Sequence, residues 1–141
     1  MLKRILVITD PLAEQVRLLL LLTAAGYIPT CCGCTPTALT ALNDDSFDVI
    51  LSDAIIPDTP PMQMTAVEFV GILRASPLHA NIPVIVTGDF ISLQNIMDTL
   101  RSGVSRFLPK PFTAPELIQA IDAEITLSHL TSSPSLTTLS S

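Results

Sequence analysis

Four polar residues stand where apolar segments of the sequence end, and together they could support phosphoryl chemistry. In chain order they are Asp10, Asp53, Thr87 and Lys110. Two carboxylates suit Mg²⁺, a hard cation that prefers oxygen ligands and keeps several waters. A lysine and a threonine beside them can hold the oxygens of a phosphoryl group. The residue types therefore predict a Mg²⁺-dependent phosphoryl site with an aspartate as the nucleophile.

Short apolar runs alternate with longer helical patterns and would bring these four residues together. The runs are rich in β-branched residues, which predicts buried strands. They are Ile5–Ile8, Tyr27–Cys32, Val49–Leu51, Pro83–Thr87 and Arg106–Leu108. Strands that alternate with helices are joined in parallel by right-handed crossovers. The predicted fold class is therefore α/β, a three-layer open sandwich with a five-stranded parallel sheet and five helices. Ligands of such a sheet bind outside the carboxyl ends of its strands, where the four polar residues lie.

The first predicted helix carries two apolar stripes instead of one. The stripe expected to face the sheet consists of Leu12, Val16, Leu19 and Thr23. The second stripe consists of Leu18, Leu21, Leu22 and Ala25. A surface helix usually has one apolar stripe. We therefore expect the second to be covered by the last helix, by the leucine-containing tail or by another subunit.

Composition and charge exclude several classes of protein. The chain has 141 residues, enough for one domain, and 48% of them are hydrophobic, which indicates a packed core. Seven basic against thirteen acidic residues give a net charge of −6, which disfavours direct nucleic-acid binding. The longest strictly apolar run, Leu18–Leu22, is far too short to span a bilayer, and no signal peptide is predicted. We therefore expect a cytoplasmic domain without a membrane partner.

The sequence predicts one folded unit and no metal or disulfide scaffold built on cysteine. The chain has three cysteines, in the cluster Cys31-Cys32-x-Cys34. An odd number without a fourth ligand argues against both a disulfide framework and a zinc site, so small core residues are expected. The folded domain is predicted to span residues 1–127. Residues 128–141 form a tail rich in Ser, Thr and Leu, or the start of a linker, with no room for a second domain.

Four segments resemble the receiver domain of two-component response regulators. They are Ile5–Asp10, Asp48–Pro57, Ile82–Gly88 and Gly103–Phe112. They occur in the family's order and at the family's spacing, and together they frame residues 3–126. The resemblance implies the flavodoxin-like receiver fold with strand order 2-1-3-4-5. It also implies a phosphoryl donor that is a histidine kinase or a phosphotransfer protein, and signalling by contact with a downstream protein or a second copy.

The resemblance assigns a role to each candidate residue. Asp53 would be the phosphoacceptor, and Thr87 and Lys110 would contact the phosphoryl group. Mg²⁺ would be held by Asp10, by Asp53 and by the backbone carbonyl of Ile55. Thr87 and the aromatic residue Phe107 would form the conformational switch. The domain would not be an enzyme beyond self-catalysed phosphoryl transfer and autodephosphorylation at Asp53.

Two departures from the family pattern favour an alternative. The family has two adjacent acids after the first strand, whereas this chain has Thr9 followed by Asp10. The loop Pro57–Pro61 is rich in proline and lacks the usual glycine. Asp58 and Asp89 are expected near the same edge, where they could partly replace the missing charge. The alternative to a phosphorylated receiver is therefore a pseudo-receiver, an interaction module that takes no phosphoryl group. A flavodoxin-like cofactor binder is disfavoured, because the acidic and apolar segment after the first strand is not a phosphate-binding loop.

The resemblance also predicts an output surface. It would consist of the fourth helix, the fifth strand and the fifth helix, with Phe107 on that strand. Two of the seven basic residues, Arg101 and Arg106, flank this region. They are candidates for contact with acidic groups of a partner or of a second copy.

Overall fold

A computed structural model gives the fold and describes residues 2–59, 62–89 and 93–131. The elements in chain order are β1 (Arg4–Ile8), α1 (Leu12–Ala24), β2 (Ile28–Cys32), α2 (Thr35–Asp44), β3 (Val49–Asp53), β4 (Ile55–Pro57), β5 (Gln63–Thr65), α3 (Ala66–Ala75), β6 (Val84–Asp89), α4 (Leu93–Arg101), β7 (Arg106–Lys110) and α5 (Ala114–Thr131).

The central sheet confirms the predicted fold class. Its five strands lie in the order β2-β1-β3-β6-β7, and all neighbouring pairs are parallel. Strands β4 and β5 belong to a separate two-stranded sheet. When only the five strands of the central sheet are numbered, their order is the expected 2-1-3-4-5. The register pairs Asp53, the last residue of β3, with Thr87 of β6, and it pairs the last residues of β6 and β7, Asp89 and Lys110.

Each central strand is apolar on both faces because helices cover both sides of the sheet. Successive side chains of a strand point to opposite faces. In β1, Leu6 and Ile8 enter a core that Phe69 and Leu73 of α3 complete. The alternate residues of β1 enter the other core, which is formed with α1 and α5 and includes Leu22 and Ile121. This burial on both faces explains why the strands lack polar alternation.

Helix α1 packs against the sheet with residues of its second stripe, whereas the first stripe was predicted to face the sheet. Leu18 and Leu22 are 3% and 0% exposed, whereas Leu12 is 71% exposed. The rest of the predicted inner stripe is also turned outward, so the predicted facing was wrong. The inward side of the helix also carries Gln15, whose side chain makes a tertiary contact by donating to the Thr9 carbonyl at 2.9 Å. Positions three and seven residues after Gln15 share its side of the helix, and these are Leu18 and Leu22.

The segment after Asp53 is an antiparallel hairpin and not only a proline-rich loop. Strands β4 and β5 pair Ile55 with Thr65 and Ile56 with Met64. Ile56 is 1% exposed and joins the core beneath the hairpin. Thr65 then caps α3 in a reciprocal capping box with Glu68. Residues 60 and 61 of the predicted loop lie outside the described residues.

Strand β2 forms one edge of the sheet and carries a proline on its open side. The Ile28 N–H donates to the Lys3 carbonyl at 2.9 Å, and the Cys32 carbonyl accepts the Thr9 N–H at 3.0 Å. In a parallel ladder alternate residues bond to the same neighbour, so Pro29 and Cys31 face away from β1. Pro29 has no N–H to present at this open edge.

The last helix extends beyond the predicted domain boundary. Helix α5 runs to Thr131, so residues 128–131 are helical. Residues 132–141 of the predicted tail lie outside the described residues, and the boundary at residue 127 stays a prediction. Of the helices in the described ranges, none combines the length and the apolar character needed to cross a membrane.

Candidate functional site

The carboxyl ends of four central strands meet at one edge of the sheet and bring Asp53, Thr87 and Lys110 together with Thr9. Asp53 is the last residue of β3, and Lys110 is the last residue of β7. Thr87 lies in β6 as the direct register partner of Asp53. Thr9 follows β1, and its backbone N–H still bonds to the edge strand through the Cys32 carbonyl. The topology thus gathers residues that are far apart in sequence.

The carboxylate of Asp53 is contacted by three side chains. The Thr9 hydroxyl donates to Oδ2 at 2.7 Å. The Thr87 hydroxyl lies 3.4 Å from Oδ1, and the Lys110 ammonium lies 3.4 Å from the same oxygen. The Asp53 side chain is 20% exposed and that of Lys110 35% exposed, so the ion pair is partly open to solvent. One carboxylate oxygen is held by a short hydrogen bond, and the other faces two looser donors.

Thr9 is held in place by contacts that no sequence motif indicates. Thr9 is 3% exposed. The Gln15 side chain donates to its backbone carbonyl at 2.9 Å, beside Gly33. A Cβ at Gly33 would lie 3.0 Å from Gln15 Nε2, too close without a shift of that side chain. Gln15 carries no chemical signal in the sequence, because a glutamine in a helix is most often a solvated surface residue.

Asp53 and Thr87 line one cleft. Asp10 lines a second cleft with Glu14 and Arg17, and Asp89 and Lys110 border both clefts. Asp10 and Asp89 are both exposed, and within the described ranges neither carboxylate has a hydrogen-bond or ion-pair partner. Asp58 is placed differently. Its carboxylate accepts the Thr59 N–H at 2.8 Å in the turn of the hairpin, and it lines neither cleft. Of the two acids expected to compensate for Thr9, only Asp89 therefore lies beside the site.

Arg17 lines the second cleft and contacts two of its other residues, Glu14 and Phe112. Its guanidinium donates two hydrogen bonds to the Glu14 carboxylate, at 2.9 and 3.2 Å. These bonds, helped by the nearby charges of Arg17 and Lys110, lower the pKa of Glu14 from its ordinary value. The same guanidinium lies 5.5 Å from the ring centre of Phe112, where it makes a cation–π contact. Glu14 therefore stays negatively charged at neutral pH, in the same cleft as Asp10 and Asp89.

The oxygen donors at this edge of the sheet are of the type that Mg²⁺ prefers, but there is one acid fewer than in the family pattern because Thr9 replaces the first. Across residues 2–59, 62–89 and 93–131, no group of three or more His, Cys, Asp or Glu residues is arranged to hold a metal ion. The Asp10 and Asp53 carboxylates and the Ile55 carbonyl remain as oxygen donors. The Ala66 N–H donates to the Ala54 carbonyl at 2.8 Å, so these two residues form a hydrogen-bonded pair of the hairpin. Such pairs alternate with non-hydrogen-bonded pairs, and the next pair, Ile55 with Thr65, is therefore of the second kind. The Ile55 carbonyl is therefore free of the hairpin ladder. Mg²⁺ needs only one or two carboxylates and keeps its waters, so these residue types suit it. The structure, however, places Asp10 in a different cleft from Asp53 and Ile55.

Comparison with known proteins decides the family. A model of the response regulator receiver domain matches residues 5–122. The chain belongs to this family. Among curated relatives, the receiver domain is 30% identical over 82 residues to the swarming motility regulation protein RssB of Serratia marcescens, covering 58% of this chain and 34% of that protein. It is 26% identical to the DNA-binding response regulator MtrA of Mycobacterium tuberculosis, covering 87% of this chain and 50% of that protein.

Solved structures carry the same fold. The chemotaxis response regulator CheY4 of Vibrio cholerae superposes with a TM-score of 0.78 at 23% identity, covering 88% of this chain and 99% of that one. The chain spans about half or less of the length of the curated relatives named above. The comparisons establish a receiver domain of the kind that two-component response regulators contain, and receiver domains are signalling domains.

The predicted switch aromatic of the receiver domain lines the same cavity as Asp53. Phe107 is half-buried and lines a cavity of about 330 Å³ together with Asp53, Thr87 and residues of α4. Its ring edge would lie 3.7 Å from a Cβ at Gly88, and Ala54 would lie 3.3 Å from the same Cβ. A side chain at position 88 would therefore crowd Ala54, whereas it would meet the Phe107 ring at an ordinary contact distance.

The two arginines of the predicted output surface differ in their surroundings. Arg106 pairs within the chain, with its Nε 2.8 Å from the Glu124 carboxylate, whose side chain is only 7% exposed. Arg101 is 67% exposed and lies 3.8 Å from Asp98. Arg106 is thus already engaged in joining β7 to α5, and Arg101 is the more accessible of the two.

Proposed function

We propose that this receiver domain accepts a phosphoryl group on Asp53. The observation that carries the proposal is the division of contacts on its carboxylate. Thr9 holds Oδ2 at 2.7 Å, while Lys110 and Thr87 both lie 3.4 Å from Oδ1. An ammonium and a hydroxyl beside the same oxygen can hold the oxygens of an incoming phosphoryl group. Oδ1 is therefore the attacking atom in this proposal.

The proposed step is a displacement at phosphorus. Oδ1 of Asp53 attacks the phosphorus of a phosphohistidine on a histidine kinase or a phosphotransfer protein. The P–N bond breaks, its electron pair returns to the imidazole ring, and a P–O bond forms to give an acyl phosphate. The Lys110 ammonium offsets negative charge on the phosphoryl oxygens, and the Thr87 hydroxyl donates to one of them. Mg²⁺ would be held by Asp10, Asp53 and the Ile55 carbonyl, and when bound it supplies further positive charge to the phosphoryl group.

The proposed output is a protein–protein contact on the face formed by α4, β7 and α5. When Thr87 turns toward a phosphoryl oxygen it vacates space beside Phe107. A phenyl ring has no hydroxyl to desolvate, so the inward position carries no polar cost. Activation would then be a shift between two populated states. The occupant of this face would be a downstream protein or a second copy, with Arg101 available for its acidic groups.

The test is reaction with acetyl phosphate and Mg²⁺, followed by intact mass measurement. We expect wild type to gain the mass of one phosphoryl group and Asp53→Ala to gain none. Asp58→Ala is the matched control, because Asp58 lies in the hairpin turn with its carboxylate on the Thr59 N–H. Phosphorylation that persists in Asp53→Ala would refute the assignment. Chemical-shift changes on addition of beryllofluoride should spread from Asp53 to Phe107 and Arg101. Changes confined to the loops around Asp53 would refute the output face.

The alternative function is a pseudo-receiver that binds partners without phosphorylation. Two observations favour it: the neutral Thr9 in place of the first acid, and the lack of a three-acid metal cluster among the described residues. Asp53, Thr87 and Lys110 oppose it, because a domain without phosphoryl chemistry does not need these three side chains in contact. A wild-type protein that gains no phosphoryl mass from any acyl phosphate or phosphoramidate would refute phosphorylation and favour the alternative.

A further inference from the structure

We infer that Thr9 is a positioning residue for the acceptor: its hydroxyl fixes Asp53 so that Oδ1 is the oxygen that faces the phosphoryl group. The inference rests on the proposed function of Asp53 and deepens it. Thr9 is 3% exposed, and its hydroxyl donates to Oδ2 at 2.7 Å, the shortest of the contacts on this carboxylate. The position thus gains a hydrogen-bond donor where the family pattern has an acid.

The geometry explains why a hydroxyl here can orient the nucleophile. A carboxylate has two equivalent oxygens and can rotate about its last bond unless each oxygen has a distinct partner. In this site the short bond from Thr9 engages Oδ2, and the two longer contacts at 3.4 Å leave Oδ1 between Thr87 and Lys110. A nucleophile held in its reactive orientation loses less entropy in the reaction.

The Thr9 hydroxyl is itself held by a rigid backbone. The Thr9 N–H donates to the Cys32 carbonyl at 3.0 Å, and the Thr9 carbonyl accepts from the Gln15 side chain at 2.9 Å. Gly33 leaves room for that side chain. Both backbone groups of Thr9 are therefore fixed, one by β2 and one by α1, and the hydroxyl is presented to Asp53 from a defined position.

The test compares Thr9→Val, which removes the hydroxyl at nearly constant volume, with Thr9→Ser, which keeps it. Phosphorylation rates are measured with acetyl phosphate over a series of Mg²⁺ concentrations that extends to saturation. We expect Thr9→Val to react about tenfold more slowly than wild type at saturating Mg²⁺, which corresponds to the loss of one hydrogen bond to a charged group. Thr9→Ser should react at close to the wild-type rate.

The chain offers a matched control in Thr35. It is 2% exposed, and its hydroxyl has no hydrogen-bond partner, so Thr35→Val makes the same chemical change without removing a contact to Asp53. Urea unfolding of all variants separates a loss of folded protein from a loss of rate, and rates are compared per folded molecule. We expect Thr35→Val to keep the wild-type rate.

The outcomes separate this inference from the proposed function. A wild-type protein that takes no phosphoryl group would overturn both. A wild-type protein that reacts, with Thr9→Val reacting equally fast at saturating Mg²⁺, would overturn the inference alone. A faster reaction of Thr9→Val would also overturn it, because the hydroxyl would then act only as a competitor for Oδ2.

Discussion

Replacing Thr9 by aspartate should make the stability of the domain depend on Mg²⁺. The Thr9 hydroxyl lies 2.7 Å from Asp53 Oδ2, so an aspartate at this position would bring two carboxylates to within about 4 Å of each other. Two like charges at that distance repel by about 1 kcal/mol in water and about 4 kcal/mol at an effective dielectric constant near 20. Because the site is partly open to solvent, we expect the free energy of unfolding to fall by about 1–3 kcal/mol without Mg²⁺.

Added Mg²⁺ should reverse this loss, because a cation that binds only the folded state stabilises it by mass action. The assay is urea unfolding with and without Mg²⁺, compared between Thr9→Asp and Thr9→Asn. The asparagine variant has nearly the same shape without the charge, and both variants lack the threonine hydroxyl. The difference between their free energies of unfolding therefore measures the charge repulsion alone. Equal stabilities of the two variants without Mg²⁺, or equal Mg²⁺ affinities of Thr9→Asp and wild type, would refute the reasoning. The second result would mean that Asp89 or water already compensates for Thr9.

Two further predictions test the surroundings of the site. Because Arg17 lowers the pKa of Glu14 below its unfolded value of 4.5, Glu14 adds stability that is present at neutral pH and lost as the pH falls below 4.5 through the folded pKa. As the pH is lowered through this range, the melting temperature of wild type should therefore fall more steeply than that of Glu14→Gln. Parallel curves of melting temperature against pH would contradict the expectation. Leu18→Ala should cost about 2–4 kcal/mol in urea unfolding, and Leu19→Ala less than about 1 kcal/mol, because Leu18 is 3% exposed and Leu19 40%. The reverse order would mean that α1 faces the sheet with its other stripe.

The sequence predicted the central sheet well because burial on both faces leaves a strong local signal. Runs such as Ile5–Ile8 and Val84–Val86 are too short for helices and too apolar for surface strands. The topology follows from their alternation with helices, since parallel strands need crossovers. Once the sheet is known, the carboxyl ends of its strands gather Asp53, Thr87 and Lys110 without further assumptions.

The facing of α1 could not be predicted because both of its stripes are apolar. Periodicity identifies a helix, but it cannot choose between two stripes of similar hydrophobicity. The observed facing also satisfies a long-range contact that periodicity does not contain, the bond from Gln15 to the Thr9 carbonyl beside Gly33. The β4–β5 hairpin escaped prediction for a related reason. Its strands have three residues each and contain Pro57, so local propensity is weak and pairing comes from the burial of Ile56.

The proline at the open edge of the sheet has a consequence for how this domain can associate. An edge strand offers a row of unpaired backbone groups on which a further strand from another molecule can grow. In β2 the outward positions are Pro29 and Cys31, so the row contains a single N–H between residues 28 and 32. A partner strand would leave its carbonyl opposite Pro29 without a donor. This edge therefore disfavours edge-to-edge aggregation of the domain through added strands. The sheet needs this protection because its strands are among the most apolar segments of the chain.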